Sequence, residues 1–251
     1  GWGAQDKTDI HQHLDVRAFL DAGISVASIN YRFLADANAA KITPPLQWPL
    51  MDAARALQYL RSKAAEWHLD KTRIAASGVS AGGCSSLWLA MHDDMADAKS
   101  ADPIARESTR VLFTATKAPQ PSLDPKQLVE WIPNSEYGGH AFGYAGKTRK
   151  ETFAPFLANR DKHLADLREW SPIPHASADD PPAVILTTKE DKPPLKGEVQ
   201  KDPTHSAVLG LMLQDTLSPF GVKCEVRHPF DGKPETTMQE MLIQHFTQSK
   251  P

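Results

Sequence analysis

Within "RIAASGVSAGGCSSLWLA", residues 73–90, one serine stands between glycines in the order Gly78, Val79, Ser80, Ala81, Gly82. A hydroxyl in that setting has a definite chemical use. Where a strand turns sharply into a helix, the turn holds a serine in strained backbone geometry and presents its oxygen as a nucleophile. Residues two before and two after it must then be small, so that strand and helix can approach. Gly78 and Gly82 are expected to meet that demand. "RIAAS" reads as the strand, and Cys84, Leu87, Trp88 and Met91 recur at i, i+3, i+4 and i+7, the apolar stripe of a helix. A glycine turn without chemistry is the bland alternative, and the intact strand and helix context favours the nucleophile. Attack on an acyl carbon develops an oxyanion, for which the amide of Ala81 at the new helix start is one preorganised donor.

A serine nucleophile needs a base, and the chain offers ten histidines. His11 and His13 lie two apart on a helix and cannot share a face, which argues against a metal pair. His68, His92 and His163 read as surface residues in or beside helices, and His245 lies within the last helix. Two candidates remain, His205 in "KDPTHSAV" and His228 at the end of "KCEVRH". His228 shares a strand face with Cys224 and Val226 and reads equally well as a strand-end histidine. Around His205 the spacing predicts a helix start with Asp202 as N-cap, Pro203 as first helical residue and His205 at N3. Side chains at N-cap and N3 are neighbours. Asp202 would then hold the imidazole in the tautomer that leaves one ring nitrogen free for Ser80. The alternative leaves Asp202 as a plain cap and His205 solvated. Asp191, just past "AVILTT", is the rival acid. The set taken forward is Ser80, His205 and Asp202, with His228 and Asp191 as the open alternatives.

The elements that must position these groups alternate. Residues 11–22 read as a helix, with Leu14, Ala18 and Ala22 on one face, and Gly23 stops it. "ISVASINYR", residues 24–32, reads as a central parallel strand, too short for a helix and too apolar for a half-exposed strand. A helix from Pro49 to Trp67, the strand "TRIAASG", a helix from Gly83 to Met95 and the strand "RVLFTAT" follow. Later come the strand "AVILTT", a helix from Pro203 to Leu217, the strand "KCEVRH" and a terminal helix containing "TMQEMLIQHF". Such alternation predicts an α/β fold, a mainly parallel sheet covered on both faces, with its site beyond the carboxyl ends of the strands. Residues 118–180 interrupt the pattern with prolines, glycines and aromatics, a length that suits a cap rather than a passive loop.

The 251 residues suffice for one large domain with an inserted cap. Net charge is −3 with both signs mixed along the chain, so no basic stripe would neutralise phosphates and nucleic acid is not expected as a partner. No apolar run approaches the roughly 20 residues needed to span a bilayer. Cys84 and Cys224 have no metal-like spacing and read as buried free thiols. The predicted chemistry calls for no metal and no organic cofactor.

"GVSAGG", the upstream "ISVASINYRF", the helix before "DKTRIAASG" and the opening "GWGAQDK" together resemble the bacterial esterase/lipase branch of the α/β-hydrolase superfamily, near carboxylesterases and carbohydrate esterases. The resemblance covers most of residues 1–118 and returns from 181 to about 229. It implies an α/β-hydrolase fold, with residues 1–117 and 181–251 as core and 118–180 as cap or lid. It also implies a serine esterase acting on short-chain acyl esters, acetyl or feruloyl groups on carbohydrate among them, with a small-molecule or polysaccharide ester as substrate. In that family a His-Gly-Gly-Gly stretch followed by an aromatic supplies the second oxyanion donor. Here Gly1 and Trp2 match only its end, so the oxyanion hole is expected from Gly1, Trp2 and Ala81. The chain thus begins within the motif, and a longer natural protein is expected, extracytoplasmic if a signal peptide precedes Gly1.

A second departure concerns the base. The family places its histidine a few residues beyond the last strand, where this chain has "PFDGKPETT". That departure keeps two alternatives open, a catalytically degenerate ligand-binding protein and an acyltransferase. Tyr137, His140, Phe142 and Tyr144 would line an acyl or sugar pocket or pack the cap.

Overall fold

A computed structural model describes residues 1–248. Four strands, β1 (Ala76–Val79), β2 (Thr114–Lys117), β3 (Ala183–Leu186) and β4 (Cys224–Arg227), form one parallel sheet in the order β1-β2-β3-β4. The register pairs Gly78 with Thr116, Thr116 with Ile185 and Ile185 with Val226. Every strand is joined to the next through at least one helix, as parallel pairing requires.

β3 shows why the apolar run "AVIL" is continuous. Ala183 and Ile185 face Leu87 and Met91 of α4 (Ala81–Met91) and Leu213 and Leu217 of α8 (Ala207–Leu217). Val184 and Leu186 face the other way, onto Phe19 of α1 (Val16–Asp21) and Met241 and Leu242 of α9 (Met238–Gln248). A strand covered on both faces has no exposed side to make polar. Burying Ile185 completely is worth roughly 2–3 kcal/mol.

Between β2 and β3 the chain forms α5 (Pro125–Trp131), α6 (Arg149–Ala158) and α7 (Leu164–Trp170), joined by short 3-10 turns. Trp131, Phe142, Phe153 and Phe156 from this stretch bury in the same apolar cluster as Leu50 of α3 (Gln47–Ser62) and Trp88 of α4. α2 (Leu34–Ala39) adds Leu34 to that cluster.

Three expectations need correction. Residues 24–32 form no strand. β1 is an edge of the sheet, and an open trough of about 1790 Å³ separates it from this stretch, with Ile24, Val26 and Ile29 on one wall and Ala75, Ser77 and Val79 on the other. An apolar pattern specifies which side chains go inward, but a strand exists only when a neighbour takes its backbone N–H and C=O groups. The helix over 11–22 is broken into a 3-10 helix at Lys7–Gln12 and α1, because Asp15 accepts from the Arg17 amide and starts a new helix. Gly23 closes α1 with φ +75°, as expected. Finally, α8 begins at Ala207, with Ser206 as N-cap accepting from the Val208 amide, so Asp202 is not a helix cap and His205 is not at N3.

Among the described residues, no helix is long and apolar enough to cross a membrane.

Candidate active site

Ser80 sits at the point where β1 becomes α4, with φ 54° and ψ −118°. That region is costly for a side-chain-bearing residue, on the order of 1–3 kcal/mol, and persists only where the surroundings enforce it. They do so from both sides. The Ser80 amide donates to the Lys117 carbonyl at 2.9 Å, and the Cys84 amide donates to the Ser80 carbonyl at 2.9 Å. A Cβ on Gly78 would stand 2.3 Å from the Gly82 carbonyl carbon, so strand and helix approach only because that Cβ is absent. The second steric demand falls on Gly83 rather than Gly82. A Cβ at Gly83 would meet the Pro119 side chain at 2.9 Å, whereas Gly82 faces open space. Spacing alone marks both glycines without saying which neighbour each one faces.

The Ser80 hydroxyl lies 2.9 Å from His205 Nε2, and His205 Nδ1 lies 2.8 Å from Asp202 Oδ2. A proton on Nδ1 donated to Asp202 leaves Nε2 free to accept from the serine, the arrangement by which a hydroxyl becomes a nucleophile. The structure therefore brings Ser80, His205 and Asp202 together, although not by the expected helix cap. Asp202 and His205 meet across a turn in which the His205 amide donates to the Asp202 carbonyl at 3.2 Å. Three-residue spacing serves a turn as well as a helix start. The Asp202 side chain is 42 % exposed, so the pair faces solvent and works by hydrogen bonding rather than as a buried charge.

His228 is committed elsewhere. Its Nδ1 accepts from the Phe230 amide at 3.2 Å, and its own amide donates to Asp231 Oδ2 at 3.2 Å, closing the turn after β4. Asp191 is exposed and stands outside the hydrogen-bonded chain from Ser80 to Asp202.

For the oxyanion donors, Ala81 is the first residue of α4, so its amide belongs to the first turn that no intrahelical carbonyl satisfies. The Gly1 carbonyl accepts from the Tyr31 hydroxyl at 2.7 Å, its amino group donates to Gln5 at 3.0 Å, and Gly1 and Ser80 line the same trough. The Trp2 ring is 2 % exposed and its Nε1 donates to Ser85 Oγ at 3.0 Å, tying this end of the chain to α4.

The four aromatic candidates divide. Tyr137 and His140 pack on Trp2, with ring centroids 6.5 and 6.4 Å away. Burial pushes the Tyr137 hydroxyl up, and burial followed by the Arg149 charge pushes the His140 imidazole down. Phe142 instead stacks on Phe156 at 4.6 Å, and the Tyr144 hydroxyl pairs with His163 Nε2 at 2.9 Å, so both belong to the packing of the stretch between β2 and β3.

The sequence did not single out the groups that seat the loop bearing His205. Gln120 donates to the Thr204 carbonyl, Asn134 bonds the Gln200 backbone, and Glu190 accepts from the Ala207 amide. Their only sequence signal is an amide or acid set among prolines and apolar residues, which spacing rules do not interpret. Cys84 and Cys224 are free thiols, the first raised by burial and the second pushed up to about 12, so neither is a nucleophile at neutral pH. No cluster of three or more potential metal ligands occurs among the described residues.

A parallel sheet with a strained serine at a strand-to-helix turn, facing a histidine and an aspartate, defines a serine hydrolase of the α/β type. Comparison with known proteins narrows the class. A sequence model of the BD-FAE family matches residues 1–194, a span that holds Ser80 and ends before Asp202 and His205. The chain belongs to that family, bifunctional acetyl and feruloyl esterases of the carbohydrate-esterase group, and is a carboxylic ester hydrolase with a serine nucleophile.

Solved structures share the fold. An acetyl ester-xyloside bifunctional hydrolase from Caldicellulosiruptor lactoaceticus is 20 % identical, with TM-score 0.60 over 90 % of this chain and 68 % of its own. A truncated carbohydrate esterase from gut microbiota is 18 % identical, with TM-score 0.65 over 98 % of this chain and 81 % of its own. A thermophilic esterase from the Planctomycetes species Thermogutta terrifontis is 18 % identical, with TM-score 0.60 over 93 % and 68 %. No curated protein matches the chain.

Proposed function

We propose that this esterase removes short acyl groups, acetyl or feruloyl, from carbohydrate through a Ser80 acyl-enzyme, with His205 as general base and acid and Asp202 as its orienting carboxylate. The 2.9 Å contact between Ser80 Oγ and His205 Nε2 carries the reading. Ser80 attacks the ester carbonyl carbon as its proton passes to His205 Nε2. The oxyanion is held by the Ala81 amide together with backbone donors of the Gly1–Trp2 segment. His205 then returns the proton to the departing sugar oxygen. A water molecule, deprotonated by the same nitrogen, attacks the acyl carbon and releases the acid. In this reading residues 118–180 are a cap on a core of 1–117 and 181–251, and Tyr137 and His140 pack the cap against the buried Trp2 ring.

Support for a polysaccharide-bound ester comes from family membership and from the relatives, two of which are described as an acetyl ester-xyloside hydrolase and a carbohydrate esterase. The Ser80–His205 contact favours a catalytic serine over a binding-only protein. The test assays p-nitrophenyl acetate, acetylated xylan and feruloylated arabinoxylan with wild type, Ser80→Ala, His205→Ala and His228→Ala. Activity on acetylated xylan that is abolished by the first two substitutions and spared by the third is expected. Activity surviving Ser80→Ala would overturn the reading.

A further inference from the structure

Asp202 and His205 lie in a stretch, residues 187–206, with no helix or strand of its own. A loop of that length has many conformations, yet its two functional side chains must hold a hydrogen-bonded line to Ser80. The structure shows what restricts it. From the inserted region, Asn134 uses both ends of its amide on one residue. Its Nδ2 donates to the Gln200 carbonyl at 2.8 Å, and its Oδ1 accepts from the Gln200 amide at 3.1 Å. A two-point grip on the N–H and C=O of one residue fixes rotation as well as distance, two residues before Asp202.

From the end of β2, Gln120, wholly buried, donates through Nε2 to the Thr204 carbonyl at 2.7 Å, one residue before His205, and to the Ala118 carbonyl at 3.2 Å. The same turn carries Lys117, whose carbonyl takes the Ser80 amide, and Pro119, against which Gly83 packs. The elbow that strains the serine and the loop that carries the histidine therefore share one anchor. Asn134 thus holds the loop just ahead of Asp202, and Gln120 holds it within the turn, between Asp202 and His205.

We propose that Asn134 and Gln120 are positioning residues that set Asp202 and His205 onto Ser80, touching no reacting atom themselves. The inference rests on the Ser80–His205–Asp202 reading above. Its physical basis is that a misplacement of about 1 Å at a catalytic group costs on the order of 100-fold in rate.

Asn134→Ala is expected to lower kcat on p-nitrophenyl acetate by roughly 10- to 100-fold with KM within about twofold. Asn134→Asp, which sets a carboxylate oxygen against the Gln200 carbonyl in place of the donor, is expected to lose at least as much as Asn134→Ala. Gln120→Leu, nearly isosteric but without the donor, gives the same split of kcat against KM. Because Asn134 is exposed, its variants fold and carry the test even if Gln120→Leu does not. The decisive arm is the double variant: in a His205→Ala background, Asn134→Ala produces no further loss, since a group that acts only through His205 has nothing left to act on.

Full kcat in Asn134→Ala, a rise in KM alone, or a loss that multiplies undiminished in the His205→Ala background would each overturn the proposal. Wild-type turnover by His205→Ala would instead overturn the reading beneath it, so the two failures are distinguishable.

Discussion

Two stretches of this chain were legible as apolar or polar patterns, and they ended differently. Residues 24–32 carry the β-branched pattern of an interior strand, yet join no ladder, and most of them stand across a trough from β1. Residues 200–205 carry the pattern of a helix start and form only a turn, yet they hold a histidine and an aspartate in line with Ser80 through contacts of 2.9 and 2.8 Å. The first needs a neighbouring backbone along its whole length, and side chains cannot substitute for one. The second needs only a few polar groups at chosen points, and Gln120 and Asn134 supply them from elements remote in sequence. Pairing is a collective requirement, whereas a turn can be pinned locally.

The largest test of that contrast is chemical. Ser80→Ala or His205→Ala should lower kcat by on the order of 10⁴ or more, while His228→Ala stays within about twofold, measured on p-nitrophenyl acetate. A large loss in His228→Ala would break the comparison, because it would show that the pinned loop is not where the base resides.

Next in size is stability. Ile185→Ala, fully buried in β3, should cost about 2–5 kcal/mol in urea unfolding, and Val26→Ala, half-buried on the trough wall, under about 1 kcal/mol. Amide hydrogen exchange sharpens the point: amides of residues 25–29 should exchange far faster than those of 184–186. Equal protection would mean that the unpaired stretch is held as firmly as the sheet.

At the elbow, Gly78→Ala should destabilise by about 3 kcal/mol, at the upper end for overpacking, because its Cβ meets backbone at 2.3 Å, whereas Gly82→Ala meets nothing and should leave Tm nearly unchanged. The reverse order would return the steric demand to the motif's second glycine.

A smaller effect comes from pH. His140 is pushed below its ordinary value by burial first and the Arg149 charge second, so the folded chain favours the neutral ring. The unfolded chain binds that proton more readily, and the associated stability is fully present above the ordinary imidazole value near 6.5 and is lost as pH falls through the lower folded value. Tm should decline from pH 7 toward 5, and His140→Gln should flatten that decline. Smallest of all, Glu130→Ala removes an exposed pair with Lys196 and should change kcat less than twofold, since it lies beyond the two residues that grip the loop.

Much of the fold was legible. "AVIL", "TATK" and "CEVR" became paired strands because neighbours on both sides, or on one, completed them. "GVSAGG" became a strained elbow because a glycine at 78 permits an approach that no other residue allows. The spacing of Asp202 and His205 suggested their contact, although the expected helix start is a turn and α8 begins at Ala207 instead. Ser206 and Glu190 together cap that later start, and no spacing rule weighs a side chain from 17 positions away against a local N-cap.

By itself, then, the sequence marked Ser80 as the candidate nucleophile, because strand, glycine and helix are all local, and it narrowed the candidate bases to His205 and His228. Tertiary structure put His205, and not His228, within hydrogen-bond reach of Ser80, and it left residues 24–32 without a strand. The physical reason is common to both: a hydrogen bond requires a partner at about 3 Å, and which distant group arrives at that distance depends on packing rather than on pattern.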